Sequence, residues 1–511
     1  MRQWMVAAKK ADFYAIAEKF HVDPVVARII RNREVIGEKN IRIYLGGNLS
    51  DLSDPHQMKD MDRLVEILAQ KIRKQVRIRI IGDYDVDGVT SSHLFLMALR
   101  RVGAKVDVVI PHRIQDGYGL SLHLLQQAKE DGVDTILTCD NGIAAIDEIA
   151  WAKAQKMTVL VTDHHAVPFE EHEGRRTEKK SLADAVVNPH QQDCGYPYKE
   201  LCGAGVAWNV IRVLYENYDM DKREAEDLLD FVAMATVCDV MSLTGENRIL
   251  VKEGLKRIRH TKNIGLQALM QACNVQPENI SAYHFGYVLG PCVNATGRLD
   301  TARHALRLFE TGQETEAEEI ARDLVDLNQE RKELTLQGVE MAKKLCEEGG
   351  YENDPVLVLF LPDVHESIAG LIAGRIREMY NRPVFVLTRG EEGVKGSGRS
   401  TENYSMYENM CGCAELFTKF GGHPMAAGLF LPEENVEKFR RKINENCPLT
   451  VEEVCPDIHI DMAMPVGYAS TELVHQFALL EPFGKDNPSP LFADRNLSIS
   501  RMWLIGKNRN V

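Results

Sequence analysis

The chain has 511 residues, 44% of them hydrophobic and 27% charged, and a formal net charge of −14. That length exceeds what one compact core organises, so roughly two to four domains are expected, with the balance of an ordinary soluble globular protein. The acidity excludes a protein that coats nucleic acid through bulk electrostatics, yet leaves room for a nuclease whose phosphate-binding surface is local. No apolar run is long enough to span a membrane and no signal peptide is visible at Met1–Lys10, so a cytoplasmic protein is expected. Eleven scattered cysteines fit that compartment as reduced thiols in or near cores. Only Cys411 and Cys413 are close, which is a weak zinc signal without a second pair.

Met1 to about Lys71 reads as helical and charged, with a polar break near Gly46–Pro55. From Val76 the pattern changes. Short β-branched runs at Val76–Ile81, Lys105–Ile110, Asp134–Cys139, Met157–Thr162 and Ala185–Val187 alternate with helical stretches near Val89–Arg101, Ser121–Asp131 and Ile143–Gln155. This is the βαβ rhythm of an open parallel sheet. The charged insert Glu170–Lys180 reads as a solvated loop. Helices are expected near Gly205–Tyr218 and Lys222–Thr236, and Asn247–Leu345 is mostly helical. A long charged helix from about Glu314 could bridge two domains. A second α/β block opens near Pro355, with strands at Val356–Leu361 and Pro383–Leu387 around a helix at Ile368–Tyr380. Glycine-rich turns are expected at Gly393–Gly398 and Gly421–Gly428. From about Leu449 the pattern is again β-like, with Ile458–Ile460 and Leu497–Ile505 as candidate strands in a small or incomplete block.

The chemistry concentrates at strand ends. Asp83, Asp85 and Asp87 stand in one run, G-D-Y-D-V-D-G, directly after a strand. Carboxylates this close repel one another and lose hydration unless a cation neutralises them. Asp140 in T-C-D-N-G-I and Asp163–His165 in T-D-H-H also follow strands directly, while Asp239 ends a helical segment. Ligands of open parallel sheets bind beyond the carboxyl ends of the strands. Any one of these segments alone would more often be structural, since Asp before Gly makes turns and a lone His is an ordinary polar residue. Their joint placement reads as a metal site. Carboxylate with imidazole and no thiolate suits Mn²⁺ or Mg²⁺, and two such ions can bridge a phosphate and activate water. No nucleophile elbow, Walker A loop or strand-following G-x-G-x-x-G competes with hydrolysis.

In order and spacing, G-D-Y-D-V-D-G-V-T-S, T-C-D-N-G-I, T-D-H-H and A-T-V-C-D-V resemble the successive motifs of the DHH phosphoesterases. P-H-R-I-Q-D-G-Y-G-L, L-C-G-A-G-V-A, G-P-C-V-N-A-T-G-R-L, L-N-Q-E-R-K, G-G-H-P-M-A-A-G and L-E-P-F-G are similar to the RecJ branch, the single-strand-specific DNA exonucleases, and carry the match from about Met61 to the last residue. The resemblance implies an α/β fold: an open parallel-sheet DHH domain joined by a helical connector to a smaller α/β DHH-associated domain, with a partial β-rich, OB-like C-terminal block. The corresponding boundaries are 1–70 for the N-terminal helical region, 71–245, 246–345, 346–448 and 449–511. It further implies that Asp83, Asp85, Asp140, His164 and Asp239 hold two Mn²⁺ or Mg²⁺ ions. Asp140 would bridge them, and Asp87 would lie close by as a minor contributor. Asp163 would orient the site, and His165 would contact the scissile phosphate.

The second block would hold nucleic acid. Ser397 and Arg399 in G-S-G-R-S, with Gly421, Gly422 and His423, offer backbone N–H groups, hydroxyls and a cation to a phosphate. Arg298 would reach the phosphate from the connector. The structural alternative is that the glycines make tight turns and Arg298 pairs with a nearby acid. The acidity of the chain then predicts a positive stripe facing the cleft between the two α/β blocks, with Arg298 and Arg399 on it. Two departures stand out. Val364-His365-Glu366-Ser367 replaces a Trp-His-Pro-Gly-like stretch of the family, and the OB-like block stops before the remaining strands of such a barrel.

The activity implied is 5′-to-3′ hydrolysis of single-stranded DNA to 5′-mononucleotides, in DNA repair and recombination. Single-stranded DNA is the implied partner, together with a single-strand-binding protein or a helicase, and no membrane. Two other readings compete. One is a DHH phosphodiesterase acting on short oligoribonucleotides or cyclic dinucleotides, although such enzymes are typically shorter. The other is a non-catalytic DNA-binding scaffold, which should have lost the acidic and histidine positions that are all present here.

Overall fold

The computed structural model describes the whole chain except residues 1–2, 114–115, 118, 173–174, 352–353, 391–392, 450–456 and 504–511. The chain forms two compact units. One combines Met1–Gly47 with Pro456–Val511, and the other runs from Asn48 to Cys455.

The unit built from the two ends begins with strand β1 (Gln3–Val6), a departure from the all-helical expectation for this region. Helices Phe13–Phe20, Pro24–Asn32 and Glu38–Gly46 follow. Asp12 and Asp23 accept hydrogen bonds from Ala15 N and Val25 N and so cap the first two.

The first α-helix of the large unit, Met61–Arg73, buries Leu64, Val65, Leu68 and Ile72. Five strands then form one sheet: β2 (Arg77–Ile81), β3 (Lys105–Val109), β4 (Thr135–Cys139), β5 (Thr158–Thr162) and, further on, β8 (Ala185–Val187). All pairings are parallel and the order is β3-β2-β4-β5-β8. β2 and β4 are buried along almost their whole length, as central parallel strands covered on both faces must be. The chain leaves β2 to one side for β3 and returns to its other side for β4. The carboxyl ends of β2 and β4 therefore flank a topological switch point, where such sheets bind ligands. Between β5 and β8 the charged insert pairs with itself as a hairpin, β6 (Phe169–His172) and β7 (Arg175–Glu178), where a loop is expected from its charge. The hydrogen-bonded ladder, not an apolar face, organises it.

Helix Gly203–Asn217 is buried along most of its length. The helix expected over Lys222–Thr236 is two, Lys222–Glu226 and Leu229–Cys238. The connector is mostly helical, and its last helix, Glu314–Glu348, is 35 residues long, or about 52 Å. Its first half buries Ala317, Ile320 and Leu324 in the core around the parallel sheet. Its second half buries Val339, Ala342 and Cys346 in a separate core. It does bridge the two α/β blocks.

The second block is a five-stranded mixed sheet of β9 (Leu357–Phe360), β10 (Val384–Gly390), β11 (Gly393–Arg399), β12 (Lys419–His423) and β13 (Ala426–Leu431), in the order β12-β13-β11-β10-β9. Only β9 and β10 pair in parallel. The stretches Gly393–Gly398 and Gly421–Gly428, expected as turns, lie largely in strands. The physical reason is packing. A Cβ on Gly396 would lie 2.5 Å from Leu387 Cδ2, and one on Gly398 would lie 2.6 Å from Met406 Sδ. These positions are glycine to let side chains cross the sheet face, not to reverse the chain.

In the unit made of the two ends, β14 (Asp457–Ile460) pairs in parallel with β1. Short strands β15 (Met462–Ala463) and β16 (Phe492–Ala493) pair with each other. Asp461, nearly fully buried, takes a bidentate pair from Arg33 Nη1 and Nη2 at 2.7 and 3.0 Å. Residues 497–503 of the candidate strand Leu497–Ile505 form no strand, and its positions 504–505 lie outside the described residues. Leu497, Ile499, Met502 and Trp503 are exposed. Alternation without a partner ladder does not hold a strand.

Candidate metal centre

Three neighbouring strands each end in an acidic turn. After β2 the chain passes through Asp83 and Asp85 into helix Val86–Arg101, where Asp85 caps the first turn by accepting from Gly88 N at 3.0 Å. After β4, Asp140 takes the left-handed conformation at φ 61°. This is a sparsely occupied region for a residue with a side chain, and such positions gather at functional sites. After β5 come Asp163, His164 and His165. Helix Leu229–Cys238 supplies Asp239 as its C-terminal cap.

These side chains converge. His164 Nε2 lies 3.0 Å from Asp140 Oδ1, 3.6 Å from Asp239 Oδ2 and 3.7 Å from Asp87 Oδ2. Three groups have ligand atoms within 4.8 Å of one another: Asp83 with Asp85 and Asp140; Asp87 with His164 and Asp239; and Asp140 with His164 and His165. Every position expected to hold metal is in at least one group. Asp239, the one that follows a helix and not a strand, reaches the cluster as well.

The electrostatics call for a cation. Burial, then the charge of Asp85, pushes Asp83 well above the usual carboxylate range. Burial and the charges of Asp87, Asp85, Asp239 and Asp83 do the same to Asp140. Both oxygens of Asp83 and His164 Nε2 are buried without a hydrogen-bond partner. Buried polar groups in native proteins are nearly always satisfied, and an ion held among them is one way to satisfy them. Burial, then the neighbouring His165, lowers His164 to about 4, so its imidazole is neutral, the form that binds metal. Oxygen and imidazole donors without thiolate fit Mn²⁺ or Mg²⁺.

Around the cluster, other residues fix the geometry. Asp87 gives its two oxygens to Gly203 N at 2.6 Å and Ala204 N at 2.8 Å, at the start of helix Gly203–Asn217. Burial and Asp85 raise it to about 6, against those two N–H groups. It thus ties the acidic turn to a helix N-terminus while facing His164. Gly203 is glycine because a Cβ there would lie 2.6 Å from the Asp140 Cβ. Asp163 accepts from Ile143 N, His164 N, His165 N and His165 Nδ1 at 2.7–3.1 Å. Burial alone would raise Asp163, but the His165 hydrogen bond and the two imidazoles hold it low. Burial opposes the charge on His165, yet the hydrogen bond and field of Asp163, with Asp239 and Asp87, push it up to about 9. The Nδ1 atom of His165 is committed to Asp163, which leaves Nε2 as its second donor.

The expected substrate residues divide into two sets. Arg298 lies on helix Gly290–Leu299, half-buried, and its Nη1 donates to the Ser367 carbonyl at 2.8 Å. It makes no ion pair with an acid among the described residues. Burial, then the charges of Arg113, Arg331 and Arg399, lowers it to about 10. Burial and Arg113 also lower Arg399, whose Nη1 donates to Gly398 O at 2.7 Å. Arg298 and Arg399 are thus both half-buried, and both feel the charge of Arg113. Ser397 sits on β11, and Gly421, Gly422 and His423 form the exposed end of the edge strand β12. None of these four hydrogen-bonds or ion-pairs with the acidic cluster among the described residues.

Sequence reasoning missed Arg113, Tyr84 and Asn294. The Arg113 guanidinium stacks 4.9 Å from the Tyr84 ring centre. Asn294 Oδ1 accepts from Val86 N at 3.2 Å, so the Arg298 helix is tied to the acidic turn. The three motifs, G-D-Y-D-V-D-G, P-H-R-I-Q-D-G and G-P-C-V-N-A-T-G-R, were visible, but nothing local marked these members of them. The variant stretch Val364–Ser367 has structural uses: Ser367 O receives Arg298, and Glu366 pairs with Lys395 at 3.1 Å.

Fold and site together define a phosphoesterase of the DHH type. Residues 77–236 match the N-terminal domain of the DHH family, residues 353–447 the DHHA1 domain and residues 460–511 the RecJ OB domain. The single-stranded-DNA-specific exonuclease RecJ of Haemophilus influenzae is 34% identical over 95% of this chain and 86% of its own length. That of Bacillus subtilis is 33% identical over 97% of this chain, which spans 62% of that relative. The structure of RecJ with Mn²⁺ from Thermus thermophilus aligns at a TM-score of 0.81 and 28% identity, over 96% of this chain and 69% of the other. A second, of exonuclease RecJ bound to manganese, aligns at 0.66 and 31% identity, over 78% and 96%. The chain belongs to the RecJ family of single-stranded-DNA-specific exonucleases. A divalent metal fits both the acidic cluster and the Mn²⁺ and Mg²⁺ complexes of these relatives. The likenesses favour neither the small-oligonucleotide phosphodiesterase nor the non-catalytic scaffold.

Proposed function

We propose that this protein removes nucleotides one at a time from the 5′ end of single-stranded DNA, releasing 5′-mononucleotides, with two divalent ions in the acidic cluster. The observation that carries this reading is the gathering of Asp83, Asp85, Asp140, His164 and Asp239 in overlapping groups at the switch of the parallel sheet. Asp83 and Asp85 would hold one ion, His164 and Asp239 the other, and Asp140, whose oxygens neighbour both groups, would bridge them. When bound, such ions neutralise phosphate oxygens and make water more acidic.

The residues of the chain do the rest. Asp163 holds the His165 ring through Nδ1 at 2.7 Å, and the other ring nitrogen would donate to the scissile phosphate as negative charge grows. Asp87 anchors the acidic turn through Gly203 and Ala204. Arg298 and Arg399, with Ser397 and the strand end Gly421–Gly422–His423, would hold the DNA backbone. Arg298 is tied by its helix to the acidic turn, and by Ser367 to the second block. Local positive charge of this kind reconciles the net acidity of the chain with a polyanionic substrate. The same reading places the protein in the cytoplasm, in DNA repair and recombination, receiving its strand from a helicase or a single-strand-binding protein.

The test is digestion of strands labelled at either end, with Mn²⁺. The reading expects early release of the 5′-terminal mononucleotide, and loss of activity on replacing Asp85 and Asp140 with Ala. Release from the 3′ end, preferential turnover of a dinucleotide over a long strand, or full activity in the double variant would each overturn it.

A further inference from the structure

Outside the acidic cluster, two cysteines sit in direct contact where three connector helices meet. Cys273 caps the C-terminus of helix Ile264–Ala272 and is half-buried, and Cys292 is buried in helix Gly290–Leu299. Their sulfurs are 3.8 Å apart. Asn328, on the long helix Glu314–Glu348, donates from Nδ2 to Cys292 Sγ at 3.3 Å. The contact with Cys273 first, then the Asn328 hydrogen bond and the charges of Lys332 and Arg331, favours thiolate at Cys292 against its burial. A disulfide is about 2.05 Å long, so the sulfurs need to close by only about 1.8 Å.

The location gives the pair leverage. Cys292 lies two residues before Asn294, which holds Val86 N at the acidic turn, and six before Arg298, which holds the Ser367 carbonyl. The next turn of this helix also presses on the acidic turn, since a Cβ on Gly297 would lie 2.4 Å from the Tyr84 carbonyl oxygen. A pull on Cys292 is therefore a pull on the segment that positions both the metal loop and Arg298.

We propose that Cys273 and Cys292 are an oxidative modification site, closed to a disulfide by a peroxide, and that this closure slows the nuclease. Cys273, the more exposed of the two, gives its proton to the Cys292 thiolate beside it and attacks one peroxide oxygen. The O–O bond breaks, one oxygen leaves as water after taking a proton, and Cys273 becomes a sulfenic acid. The sulfur of Cys292 then attacks the Cys273 sulfur. The S–S bond forms, the S–O bond breaks, and the hydroxyl departs as water with the Cys292 proton. Two thiols and one peroxide give a disulfide and two waters, and a dithiol reductant returns the two electrons. Formation of the bond stands on its own geometry, whereas its effect on strand hydrolysis rests on the function proposed above.

The experiment treats the full chain with hydrogen peroxide, removes the peroxide with catalase, and maps cysteine peptides by mass spectrometry without reduction. Single-strand digestion with Mn²⁺ is measured before oxidation, after it, and after dithiothreitol. A linked Cys273–Cys292 peptide is expected, with a loss of activity of roughly ten- to a hundredfold, the scale on which a small misplacement of positioning groups acts. Dithiothreitol should restore the activity. Cys273→Ser and, separately, Cys292→Ser should abolish both the linked peptide and the oxidative loss while keeping the activity of the reduced protein. Oxidation of the exposed Cys411 with no linked peptide would overturn the proposal, and so would a linked peptide with unchanged activity. If the linked peptide forms but the reduced protein digests no strand, the exonuclease reading fails and the modification site stands.

Discussion

The two α/β blocks use their sheets in opposite ways. The parallel sheet buries its central strands on both faces and gathers its acids at the carboxyl ends of β2, β4 and β5, deep enough that Asp83, Asp140 and Asp163 are almost fully enclosed. The mixed sheet ends in an edge strand, β12, whose Gly421, Gly422 and His423 are exposed, and its Arg399 stays half-buried. Fixed ions need ligands that cannot move, and a buried parallel sheet supplies them. A polymer that slides would need groups that remain in reach of water, and an antiparallel edge would supply those. The first block should therefore govern the chemical step and the second the hold on the strand.

Replacing Asp140 with Ala is the harshest test of this division. It should lower kcat on the order of a thousandfold or more, measured on a short single strand with saturating Mn²⁺. A variant that only raised KM would break the comparison. Next come Arg298→Ala and Arg399→Ala. A lost charged hydrogen bond is worth about 1.5–3 kcal/mol, so kcat/KM should fall roughly ten- to a hundredfold. The loss should lie mainly in KM and grow with salt concentration, which a salt series would show.

A smaller effect separates the blocks by stability. His93, on the helix that follows the acidic turn, is fully buried beside Phe231 and Phe309, with ring centres at 4.6 and 5.8 Å. Burial, then the charge of Arg100, lowers it to about 3. The unfolded chain takes up this proton below its usual value near 6.5, while the folded chain does not. The contribution is thus full above about pH 6.5 and is lost as pH falls toward 3, at up to about 1.4 kcal/mol per pH unit. Denaturant titrations from pH 7 to pH 5 should show a shallower decline in His93→Gln than in the parent. An identical slope would mean the ring is charged in the fold. The smallest change is expected for Gly421→Ala. A Cβ there meets nothing within 4 Å, so the melting temperature should hold. A severalfold rise in KM would mark β12 as a surface that touches DNA, and an unchanged KM would remove it from the binding site.

Much of the catalytic block was legible because its signals are local. β-branched runs bounded by polar turns located the five strands to within a residue or two, and acids placed after strands have one natural destination in a parallel sheet. Asp239 was less legible because a helix end can point anywhere, and only the packed structure brings it to 3.6 Å from His164. The glycine stretches of the second block misled because glycine ordinarily marks turns. At Gly396 and Gly398 it marks instead the absence of room beside Leu387 and Met406. Arg113 was hidden for another reason: its relation to Tyr84, Arg298 and Arg399 joins segments far apart in the chain. The helical expectation for the first residues failed at β1 because a strand depends on its partner, and that partner is at the far end of the sequence.

That last pairing has a consequence for how the protein is made. Arg33 and its buried partner Asp461 are 428 residues apart. A ribosome adding roughly 5–20 residues per second needs about 20–90 s to deliver the second after the first. Throughout that interval the N-terminal segment has no strand for β1 and no acid for Arg33, while the whole of Asn48–Cys455 emerges and can fold. The catalytic unit is thus born as an insertion between two halves that can close only after it has emerged, and a nascent chain halted before Pro456 should carry a folded nuclease core on an unfinished leading end.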